Sequence, residues 1–364
     1  MGRLFHKAYD ETWGKINWRE EKDALATVKS LFSKGARINA TDADGVSVLQ
    51  NVIRARQPGW QEAAIFLIEN GAKVNNTDRN GYSPLIDACY NKDSLNVVKA
   101  LVNKGAKVNH KSNDETRPNR TPNPSKFALK AAVATGDKEV VDFLIDKGAN
   151  VNLQDSSGNQ AISYLTLARK NGAKDVVGMI DSLVKAGADV NAHNWMGNTP
   201  LMDAAADGDI ASFEKLFKEH ADINKVAPRC QWDTNGNFEY MSVPKRTSLS
   251  IAILNAHPEI IKFCMEHGAK VDECAHEALN AVIKDKKVKE DVLSLMTSHD
   301  KPQQIDLLQL KMDLLREKLG DKVGKTANDA TGQVSDRQRE TAKTQVEISK
   351  ALIQVNRKNE GKIS

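Results

Sequence analysis

The stretch GAKVNNTDRNGYSPLIDA, residues 71–88, holds two phrases that recur along the chain. The first is Gly-Ala followed by x-Val-Asn or x-Ile-Asn. It starts at Gly35, Gly71, Gly105, Gly148 and Gly187, with degenerate copies HADIN at His220 and GAKVD at Gly268. Successive copies lie 36, 34, 43, 39, 33 and 48 residues apart. The second phrase follows at a constant offset. It reads DRNGYSPLIDA from Asp78 and NWMGNTPLMDA from Asn194, and more loosely DADGVSVLQNV from Asp42. Weaker copies are PSKFALKAAV from Pro124, DSSGNQAISYL from Asp155 and KRTSLSIAIL from Lys245. Such self-similarity marks an array that grows by stacking, so chain length does not translate into a number of globular domains.

The residues that recur are those a helix-turn-helix unit needs. Asp-x-x-Gly makes a tight turn in which glycine takes a positive φ that a β-carbon would oppose. Ser or Thr then caps free backbone N–H groups, and proline at the first helical position gives up a donor that has no partner. The Gly of Gly-Ala ends the second helix. Apolar residues at helical spacing fill the interval, as in Val97, Val98, Leu101 and Val102, or Val140, Val141, Leu144 and Ile145. A single unit cannot bury such a face, so neighbours must stack.

These phrases resemble the D-x-x-G-x-T-P-L-H-x-A signature of ankyrin repeats, whose period is about 33 residues. The resemblance covers residues 8 to 299. It implies an all-α ankyrin-repeat solenoid of about seven to eight helix-turn-helix units with a C-terminal helical tail. Residues 8–39 lack the Thr-Pro-Leu phrase and read as the N-terminal cap, and Glu273–Ser298 reads as the C-terminal cap. The array, 1–299, takes insertions at 110–126, which is basic and carries Pro118, Pro122 and Pro124, and at 225–245, which carries Cys230, Trp232, Phe238, Tyr240 and Met241. Arg169–Asp175 lengthens the loop inside one repeat. In the tail, 300–364, Ile305, Leu308, Met312, Leu315 and Leu319 form a heptad seam, suited to docking on the last repeat or to self-association through 305–319.

Charge is high but balanced. The 52 Lys and Arg face 48 Asp and Glu among 364 residues, a net of +4 and no general signature for nucleic acid. No apolar run is long enough for a membrane helix, and MGRLFHKAYDETW has neither the apolar stretch of a secretory signal nor Ser or Thr at the sixth position for myristoylation. Four cysteines without pairing rhythm fit a reducing compartment. The expectation is a cytoplasmic protein.

Chemistry is sparse. Gly320-Asp-Lys-Val-Gly-Lys-Thr326 has three residues between its glycines where a phosphate-binding loop needs four, and it follows a charged helix instead of a buried strand. Cys264, His267, Cys274 and His276 gather metal-ligating types, but Cys264 takes a core leucine position and the spacing is not that of a zinc finger. No catalytic motif, metal site or cofactor site is expected, and the reading is not an enzyme.

What the ankyrin resemblance implies is recognition of a protein partner by turn tips and exposed inner-helix positions along a concave face. The matching tips are Asp44, Arg79, Asn80, Tyr82, Trp195, Met196 and Asn198, and the matching inner-helix positions are Arg54, Tyr90, Asn91 and Asp207. Ser156, Ser157, Ala134 and Thr135 between them are small and leave a depression. Degenerate repeats, long insertions and Lys/Asn-rich composition resemble ankyrin effector proteins that intracellular bacteria deliver into host cells, which implies the host cytosol. A substrate-positioning subunit of an enzyme complex and an oligomer assembled through the tail are the alternatives.

Overall fold

The computed structural model describes Trp13 and residues 16–113, 125–227, 230–232, 238–240 and 246–282. The 300–364 tail, the Gly320–Thr326 segment, most of the 110–126 and 225–245 insertions and the end of the C-terminal cap lie outside the described residues. The chain divides into two units, Met1–Ser248 and Leu249–Ser364.

The first unit begins with α1 (Ala24–Ser33), and helix pairs follow: α2 (Val48–Ala55) with α3 (Trp60–Glu69), α4 (Pro84–Cys89) with α5 (Leu95–Asn103), and α6 (Ala128–Thr135) with α7 (Lys138–Asp146). Next come a 3-10 turn (Ala161–Tyr164) running into α8 (Leu165–Lys170), paired with α9 (Val176–Lys185), and then α10 (Pro200–Asp207) with α11 (Ile210–Lys218). Local sequence explains the starts. Ser47 accepts a hydrogen bond from Gln50 N at 3.2 Å while the Gln50 side chain accepts from Ser47 N at 3.2 Å, a capping box. Ser83 and Thr199 accept from Ile86 N and Met202 N, each with proline next in line. Outer helices use aspartate instead: Asp23, Asp137, Asp175 and Asp209 each cap one.

Packing is between neighbours. Inner helices α2, α4, α6, α8 and α10 form one row, each against the next, and outer helices α1, α3, α5, α7, α9 and α11 form a second row behind it. The core runs between the rows through Leu67, Val97, Val98, Leu101, Val140, Val141, Leu144, Met179, Ile180, Leu183, Phe213 and Leu216, all fully buried. Each such side chain contributes about 1.5–3 kcal/mol by leaving water, and the stability of the stack is close to a sum of neighbour terms.

The outer helices end as Gly-Ala demands. Gly71, Gly105, Gly148 and Gly187 sit at φ 93°, 86°, 81° and 88°. The alanine N–H that follows each reaches the carbonyl five residues back, as from Ala72 to Leu67 O at 2.9 Å. In the degenerate sixth copy His220 holds this position at φ 68°. A β-carbon there costs about 1–2 kcal/mol, partly offset by the extra freedom glycine has when unfolded. His220→Gly is therefore expected to stabilise the protein by about 0.5–1 kcal/mol in urea melts, and a lower midpoint would show that the imidazole makes up the difference.

Two departures from the sequence reading stand out. Residues 161–164 form a 3-10 turn ahead of α8, and Gln160 at its start makes no side-chain cap. The 225–245 insertion, read as loop, contains an antiparallel pair, β1 (Cys230–Trp232) with β2 (Phe238–Tyr240), a two-stranded sheet carried by the insertion of an otherwise helical array. The available signal was Asn235-Gly236 between the two runs, a pair favoured in tight hairpins.

Around the boundary, α12 (Ser248–Leu254) leads into the second unit, which holds α13 (Pro258–Glu266) and α14 (Glu273–Val282). Gly268 at φ 80° closes α13, and Ala269 N bonds Cys264 O at 2.9 Å, the same ending as in the first unit.

Candidate partner-binding face

The turn tips of the first unit are rigid because one side chain organises each of them. Asp78 Oδ1 accepts from Asn80 N and Tyr82 N, both at 2.9 Å, and Asp42 does the same for Asp44 N and Val46 N. Asp155 holds Ser157 N and Asn159 N at 2.8 and 3.0 Å, and Asn194 holds Met196 N and Asn198 N at 3.0 and 3.1 Å. The tips are also tied to one another. Arg79 N donates to Asp44 O at 2.8 Å, Asn113 N to Asn80 O at 3.0 Å and Trp195 N to Ser157 O at 3.1 Å.

A second tie uses the asparagine that closes each Gly-Ala phrase. Asn39, Asn75, Asn109, Asn152 and Asn191 each donate from Nδ2 to the carbonyl of the glycine, or of His220, one repeat on, at 2.8–3.3 Å. Each also accepts at Oδ1 from the backbone N–H two residues past that position, at 2.7–3.0 Å. One side chain thus makes both bonds of a rung. Sequence reasoning saw the asparagines recur and gave them no role.

Trp195 and Met196 cap the tip of the α10 repeat, 55% and 41% exposed. Gly158 of the preceding tip lies beneath the indole: a β-carbon on it would come 2.7 Å from Trp195 Cδ1 and 3.0 Å from Nε1. Trp195 therefore rests on its neighbour and still presents half its surface to solvent. Asp44 and Arg79 are exposed and paired to each other at 2.6 Å, while Asn80, Tyr82 and Asn198 are half-buried.

On the inner helices the structure separates residues the sequence had grouped. Arg54 is not a free binding group, because its guanidinium pairs with Asp78 at 2.7 Å and Asp87 at 2.9 Å. Gln50 Nε2 adds bonds to Asp87 at 3.0 Å and Tyr82 O at 2.8 Å. Burial pushes the Asp87 carboxyl up to about 6 in spite of Arg54. Asn91, expected on the exposed face, is buried with its amide on Ile53 O at 2.7 Å, and that expectation is corrected. Tyr90 beside it is half-buried, and desolvation raises its phenol above the usual range. Asp207 is exposed and paired with Lys170 at 2.8 Å.

A buried hub centres on Asp155 at the start of the α8 repeat's tip. Lys130 Nζ bonds Asp155 Oδ2 at 2.6 Å and Ser125 O at 3.1 Å, and lies 4.5 Å from the Tyr164 ring centre. Tyr164 Oη donates to the same Asp155 oxygen at 2.5 Å. Burial alone would raise Asp155, but the bonds from Lys130 and Tyr164 outweigh it and hold its carboxyl below the usual carboxylate range. Lys92 Nζ reaches Asn171 O at 2.9 Å, from just past the end of α4 to the end of α8.

The four residues of metal-ligating type in the second unit are placed as core and helix-end groups. Cys264 is fully buried, which pushes its thiol up to about 12, and His267 stacks on Phe263 at 3.8 Å. Among the described residues no helix is long and apolar enough to cross a membrane.

The profile for ankyrin repeats in three copies matches residues 20–112 and 129–227, and that for a single ankyrin repeat matches 244–273. The chain belongs to the ankyrin-repeat family. Within it, this ankyrin-repeat chain is 26% identical over 196 residues to human transient receptor potential cation channel subfamily A member 1, covering 53% of the chain and 15% of the channel. It is 26% identical over 125 residues to phosphocholine transferase AnkX of Legionella pneumophila, covering 34% of the chain and 12% of that protein. The solved ankyrin repeat domain of human ASB11 is 22% identical, with a TM-score of 0.48 over 65% of this chain and 92% of that one. The chain thus spans a minor part of both curated relatives. Ankyrin repeats are generally interaction modules without catalysis of their own, so this ankyrin-repeat array is a surface for protein partners.

Proposed function

We propose that the chain is an interaction scaffold that grips a protein partner between its turn tips and inner helices, with Tyr82, Tyr90, Trp195 and Met196 as anchors. The observation that carries this is Trp195, 55% exposed on a tip fixed by hydrogen bonds to two repeats. A large aromatic held rigidly in solvent contributes little to the fold and much to recognition. Asp44, Arg79, Asn80, Asn198 and Asp207 form its polar rim, whereas Arg54 and Asn91 act from below by fixing the surface.

The finer reading is a bacterial effector that works in the host cytosol on a host protein. Its support is the degenerate array with long insertions and the likeness to AnkX over 125 residues. Capture from a eukaryotic lysate on the full chain, compared with its Trp195→Ala and Tyr90→Phe variants, tests the face. A band held by the parent should weaken by more than about 1–2 kcal/mol in affinity with Trp195→Ala, the range of anchor residues, at an unchanged melting temperature. If Trp195→Ala lowers the melting temperature and keeps the band, the indole is packing and the face loses its best residue.

A further inference from the structure

Comparison of equivalent positions in the repeats shows one ion pair that is built in one place and left half-made in another. In the inner helix after each cap, the fourth residue past the cap is Asp87 in α4 (cap Ser83) and Asp203 in α10 (cap Thr199). On the inner helix packed before it, the seventh residue past the cap is Arg54 in α2 (cap Ser47) and Leu167 in α8 (Gln160 at the cap position). Arg54 supplies the guanidinium that Asp87 needs, at 2.9 Å. Leu167, at the same register, supplies none and leaves 41% of its surface exposed.

Asp203 is accordingly a half-buried carboxylate that makes no side-chain hydrogen bond or ion pair among the described residues. The charged groups around it are Asp207 on its own helix, Lys170 at the end of α8 and Arg246 beyond the hairpin. Lys170 is committed to Asp207 at 2.8 Å. Burial first, and the Asp207 charge second, push the Asp203 carboxyl up to about 7, against the lesser pull of Arg246 and Lys170. A carboxylate in this state gains from any cation brought to it, because desolvation has already been incurred and the two cations that act on it only partly offset it.

We propose that Asp203 is the receptor for a guanidinium of the partner, an arginine flanked by apolar residues that lie over Leu167 and toward Trp195–Met196. The template is internal: the external arginine takes the place that Arg54 takes three repeats earlier. Exposed apolar surface at Leu167, the register position opposite Asp203, and at Trp195 and Met196 on the tip of the Asp203 repeat favours this chemistry over an acidic or purely polar segment. The inference rests on the groove reading above and names the chemistry of its partner. Because the cation binds the ionised carboxylate, affinity should rise with pH through about 7 and level off above it.

The test uses the full chain against a bead library of hexapeptides with a fixed central arginine and variable apolar neighbours, and against the same library with neutral, isosteric citrulline. The best arginine peptides should bind at least tenfold tighter than their citrulline counterparts at pH 8, with a smaller gap at pH 5.5. Asp203→Asn should remove the gap. Leu167→Arg should also remove it, by rebuilding the internal pair, and both variants should melt no lower than the parent. Equal binding of the two libraries overturns the arginine receptor while leaving a binding groove in place. A gap that survives both substitutions overturns it as well, as does a library without binders.

Discussion

Replacing Lys130 with methionine should destabilise the first unit by about 3–5 kcal/mol, the cost of leaving a buried carboxylate without its cation. The side chains of Lys130 and Asp155 are 3% and 0% exposed, so solvent cannot stand in for the missing ammonium. Adding Asp155→Asn to Lys130→Met should recover a large part of the loss, since the amide carries no charge to strand. The sign of the pH effect follows from Asp155. Its folded carboxyl lies below its ordinary 3.8, so the stabilisation is present above that value and is lost as pH falls through and below it. The gap between parent and Lys130→Met in urea melts should therefore close toward pH 3. A gap under about 1 kcal/mol at pH 7 would mean that Tyr164 and the N–H groups of Ser157 and Asn159 alone satisfy Asp155.

Gly158→Ala should have the second largest effect, about 2–3 kcal/mol, and it should fall on recognition as well as stability. Gly158 sits at φ +77°, where a β-carbon costs about 1–2 kcal/mol. The new methyl would also lie 2.7 Å from Trp195 Cδ1, so the indole must leave its seat. Trp195→Ala removes the anchor and keeps the tip; Gly158→Ala keeps the anchor and moves it. Both should weaken partner capture, and only Gly158→Ala should lower the urea midpoint. Capture unchanged in Gly158→Ala would show that the position of the indole is immaterial to binding.

The sequence made the punctuation legible, because caps, prolines and C-terminal glycines act within a few residues of where they stand. Ser83-Pro84, Thr199-Pro200 and the Gly-Ala pairs do what their local chemistry requires. It was silent on ties that span a repeat. Asn75 bonds a glycine carbonyl 30 residues on, and nothing within its own repeat announces that. Arg54 read as a free groove residue for the same reason, since its two carboxylates come from the next repeat. Tyr90 and Asn91 lie just past the end of α4, where helical spacing no longer applies, and an offset counted from the turn cannot decide which faces out. The structure turns Asn91 inward. The exposure of Trp195 and Met196 was legible from their place at a turn tip; that Leu167 stands where Arg54 stands in the earlier pair required the packing of α8 against α10.

The bond from Lys92 to Asn171 O gives the groove a mechanical bias. Most ties in the array join adjacent repeats and survive a uniform change of curvature with small adjustments. This one is a chord: it spans 79 residues of sequence and arches over the repeat between. A change in how the repeats stack adds up across two steps before it reaches this bond, so a partner that requires such a change costs the bond, about 1 kcal/mol, and one that fits the existing stack keeps it. If the array grips its partner as proposed, Lys92 makes the stacking of three successive repeats a criterion of selection.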